Sequence, residues 1–80
     1  MRNVIEIFNR DIKEIYKSPD LNWRIRVLND AIQFYMDEMS YPAEHRSKIF
    51  SDYEYRLIIK LYQHELSLML IDADRMVRNV

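Results

Sequence analysis

Residues 51–78 read SDYEYRLIIKLYQHELSLMLIDADRMVR, and the way this stretch begins and repeats decides the fold. Ser51-Asp52-Tyr53-Glu54 has the pattern of a capping box. In it the Ser51 side chain accepts from the Glu54 amide while the Glu54 side chain reaches back to the Ser51 amide. From that start Tyr55, Tyr62, Met69 and Met76 recur every seven residues, and Ile59, Leu66, Ala73 and Val80 form a second row beside them. Two such rows are the a/d seam of a bundle helix. The stretch predicts a helix from about Asp52 to Arg78, roughly 40 Å long at ~1.5 Å per residue.

The rest of the chain reads the same way. Glycine is absent and proline occurs only at Pro19 and Pro42, so strand breakers and tight hairpin turns are almost missing. Before Pro19, Ile5, Phe8, Ile12 and Ile15 fall on one face of a helix from about Asn3 to Lys17, with Glu6, Arg10 and Glu14 spaced four apart on its solvated side. Ser18-Pro19-Asp20 then reads as a stop followed by a start, with Ser18 as cap and Pro19 in the first helical position. A connection this short folds the next helix, from about Pro19 to Met39, back along the first. Its core stripe is Leu21, Ile25, Leu28, Ile32, Tyr35 and Met39. Ser40 to Phe50 is a connector in which Pro42 begins a short helix through Ala43, Glu44, His45 and Arg46. The expectation is an all-α, three- to four-helix bundle: an antiparallel helical hairpin, a short connector helix and a long C-terminal helix, in one domain over residues 1–80.

Composition narrows the function. A chain of 80 residues buries only roughly 60–65% of the surface its unfolded form exposes, so its core needs reinforcement. It has no cysteine, which excludes disulfides, thiolate metal sites and thiol catalysis and leaves oligomerisation as the natural reinforcement. Twelve Lys and Arg against thirteen Asp and Glu are interspersed, without the basic stripe of a nucleic-acid binder. Charged and polar residues at Arg2, Asn3, Glu6, Asn9 and Arg10 break any signal-peptide apolar region, and no apolar run approaches the ~20 residues of a spanning helix. A cytoplasmic protein with no transmembrane segment is expected.

Sites for chemistry are equally sparse. His64-Glu65 and Glu44-His45 are adjacent on a helix and diverge by about 100°, so neither pair converges on a metal. His64-Glu65 resembles the start of a zinc-protease helix, but Leu68 stands where the second histidine belongs. Asp72 and Asp74 diverge too, and are expected to pair with Arg75 and Arg78. No catalytic residue, cofactor or metal is assigned.

What carries a function is apolar surface on the wrong side. Leu57, Leu61, Leu68 and Ile71 lie opposite the seam of the third helix, with Ile58 and Leu70 on its flanks. A helix apolar most of the way round is either central or covered twice. The connector offers Ile49 and Phe50 as partial cover, and the remainder predicts an exposed patch of the kind that marks an interaction site. On the second helix Trp23, Val27 and Phe34 form a thinner apolar line. These seven residues, Trp23, Val27, Phe34, Leu57, Leu61, Leu68 and Ile71, are the candidate protein interface. The expected function is a non-enzymatic interaction module, a homodimeric regulator or inhibitor that also binds an unidentified protein, as small phage or bacterial accessory bundles do by analogy of size and fold. Two alternatives stay open: a nucleic-acid-associated regulator using Arg24, Arg26, Arg46 and Lys48, and a membrane-surface or immunity-type protein using the apolar face.

Overall fold

A computed structural model describes residues 3–47 and 50–78. The first helix, α1 (Val4–Ile15), begins where the Asn3 side chain accepts a hydrogen bond from the Ile5 amide at 2.9 Å, satisfying one of the free amides of the first turn. Its inner face is Val4, Phe8 and Ile15, with Ile12 partly buried. Ile5 is about half exposed and Val4 takes its place, while Phe8, Ile12 and Ile15 hold the expected stripe. Asp11, beside them, accepts from a tyrosine of the third helix. Arg10 stands near Asp11, at 3.9 Å, and Glu14 takes Lys17 at 2.8 Å.

The second helix, α2 (Leu21–Ser40), is capped by Asp20, whose side chain accepts from the Trp23 amide at 3.2 Å. This corrects the expected cap at Ser18 and the expected helical position of Pro19. Ser18 instead accepts from the Asp20 amide, and the helix starts after it. Asp and Ser are comparable caps, so local sequence left the choice open. Contacts longer than one helical turn accompany the Asp20 cap: Arg24 reaches back to donate to the carbonyls of Ser18 (2.6 Å) and Tyr16 (3.1 Å), and its guanidinium lies over the Tyr16 ring. A cation thereby meets the carbonyl-rich end of α1.

The connector holds a short 3-10 helix, Ala43–His45, as Pro42 led one to expect. Arg46 ties it down: Nε donates to the Tyr41 carbonyl, Nη2 to that of Met39, and Nη1 pairs with Asp52 at 2.8 Å. From beneath, Glu38 accepts from both the amide and the hydroxyl of Ser47, at 2.8 and 2.6 Å. Glu38 is a buried carboxylate that apolar periodicity gave no reason to place inside. Lys48 and Ile49 lie outside the described residues.

The third helix, α3 (Asp52–Arg78), opens with the capping box in both directions: Ser51 Oγ accepts from the Glu54 amide at 3.2 Å, and Glu54 Oε1 from the Ser51 amide at 2.9 Å. Both other helices pack on it, α2 most extensively and α1 second. Two helices on adjoining sides widen its buried stripe to Tyr55, Ile58, Ile59, Tyr62 and Met69, which moves Ile58 from the flank to the centre. An aromatic cluster sits within the otherwise aliphatic core. Tyr35 stacks on Tyr62 with ring centroids 5.8 Å apart, Phe8 meets Tyr62 edge-on at 5.3 Å, and Phe50 closes against Tyr55 at 5.3 Å. The result is an elongated all-α bundle, 50 × 22 × 17 Å.

Candidate protein-interaction surface

α3 has 27 residues and α2 has 20, so α3 outruns the bundle by about two turns, ~10 Å. The Tyr16 hydroxyl donates to Glu65 at 2.9 Å, which fixes where α1 ends along α3. Past Met69, only 1% exposed, no described residue is buried. The heptad row nevertheless continues with Met76, 63% exposed, and beside it Leu70 is 50% and Val77 75% exposed. The expected seam therefore stops being a core seam at Met69. Val80, its last expected member, lies outside the described residues.

The seven candidate interface residues divide. Leu57 and Leu61 are partly buried and packed against the core, and Tyr16, just past α1, reaches Glu65 on the next turn of α3. Leu68 and Ile71, beyond that contact, are exposed over nearly half their surface. On α2, Trp23 and Phe34 are exposed while Val27 between them packs against the core, so the line is interrupted. Phe34 also leans edge-on against Tyr35, at 5.3 Å. Exposed large hydrophobic residues occur along the chain, at Ile5, Tyr16, Trp23, Phe34, Met36, Tyr41 and Tyr53, and five more, Leu68, Leu70, Ile71, Met76 and Val77, follow one another on distal α3, where they face several directions. Sequence reasoning missed Leu70, Met76 and Val77 as surface because it assigned two of them to the flank or the seam. The signal that finds them is helix length: α3 is longer than any helix available to cover it.

The polar groups are structural in geometry. Tyr62 Oη donates to Asp11 Oδ2 at 2.8 Å. Burial first, and then the Asp11 hydrogen bond and charge, push the Tyr62 hydroxyl far above the ordinary phenol range. Burial also raises Tyr35, and burial together with Glu65 raises Tyr16, so all three phenols stay protonated, Tyr62 and Tyr16 as donors to carboxylates. The Lys17 hydrogen bond and charge lower Glu14, at the surface. Among the described residues no three His, Cys, Asp or Glu groups gather where they could hold a metal ion. Two of the four cations named for a nucleic-acid role, Arg24 and Arg46, are engaged by backbone carbonyls of their own chain. No helix among the described residues is long and apolar enough to cross a membrane.

An open depression walled by α2 and α3 is lined by Met36, Met39, Arg56, Ile59, Lys60 and Gln63. Comparison with known protein families, curated proteins and solved structures gives no match to this chain.

Proposed function

We propose that this chain is a non-enzymatic protein-interaction module, a small helical regulator or inhibitor that works through the distal part of α3, binding other copies of itself and a larger protein. The observation that carries this is the change at Met69, after which Leu70, Ile71, Met76 and Val77 stand uncovered on a continuous helix. An ordinary surface helix is apolar on one stripe only, and this segment is apolar on several. Covering one such side chain is worth about 1.5–3 kcal/mol, enough for a few of them to support specific association. The mixed charges among them, Asp72, Asp74, Arg75 and Arg78, favour a protein surface over an anionic polymer.

The test uses the tagged full chain in its native cells. Leu68→Glu with Ile71→Glu changes exposed positions, so helicity and thermal stability should hold. Proteins retained specifically by the wild-type chain should be lost from the variant. Identical retention by the two chains, with wild-type protein monomeric in sedimentation at high micromolar concentration, would overturn the reading.

A further inference from the structure

We draw no further inference here: the strongest candidate, the apolar stretch of distal α3 from Leu68 to Val77 left open beyond the other two helices, already carries the proposed function, and nothing in the structure shows what covers it.

Discussion

The proximal and distal parts of α3 differ little in composition and greatly in burial. From Tyr55 to Met69 the helix carries Tyr, Ile, Leu and Met at heptad spacing and buries them under α1 and α2; from Leu70 to Val77 the same kinds of residue at the same spacing meet solvent. A repeat states which side chains share a face. It does not state whether anything is there to cover that face, and cover depends on how far the neighbouring helices reach. In this bundle they stop about two turns short of the end of α3.

The largest effect separating the two parts is core truncation. Ile58→Ala removes a fully buried side chain between both covering helices, and should cost about 2–5 kcal/mol in denaturant unfolding. Met76→Ala, at an exposed position of the same helix, should change the stability of the isolated monomer by no more than about 0.5 kcal/mol. Equal effects at both positions would mean that the distal segment is part of the folding core.

A smaller effect concerns the phenol that anchors the proximal part. Tyr62→Phe loses the donor to Asp11, and should cost about 1.5 kcal/mol near neutral pH. The folded chain holds the Tyr62 hydroxyl above its unfolded value, so this contribution is complete below the unfolded phenol value, about 10, and is lost as pH rises beyond it. Stability should therefore decline on the alkaline side, and more gently in Tyr62→Phe. Parallel alkaline curves for the two proteins would mean that Tyr62 is not the group responsible.

The smallest contrast compares the two ends. Ser51→Ala removes the capping hydroxyl and should cost about 1 kcal/mol. Arg78→Ala breaks only the exposed pair with Asp74 and should fall within about 0.5 kcal/mol of wild type by thermal unfolding. A distal change as costly as the capping one would show that the last turn is held by more than its own helix.

Much of the fold was legible because it is local. The capping box at Ser51, the short helix after Pro42 and the stripe Leu28, Ile32 and Tyr35 follow from residues within a few positions of one another. The aromatic residues of the core were visible as composition, while their stacking order was not. The candidate surface was legible only in kind. Too much apolar area on α3 predicted an interaction helix, but Leu57 and Leu61 were grouped with Leu68 and Ile71 although the first two pack against the core and the others are exposed.

By itself the sequence determined the helices, their punctuation and the excess of apolar surface on the last of them, because hydrogen bonding and capping act over a single turn. Only the tertiary structure decided which cap is used before α2, that Glu38 is buried beneath Ser47, and where on α3 cover ends. Each of those outcomes depends on contacts that reach beyond a single helical turn: Arg24 reaching back to the end of α1, the connector folding over Glu38, and two helices too short to follow the third to its end.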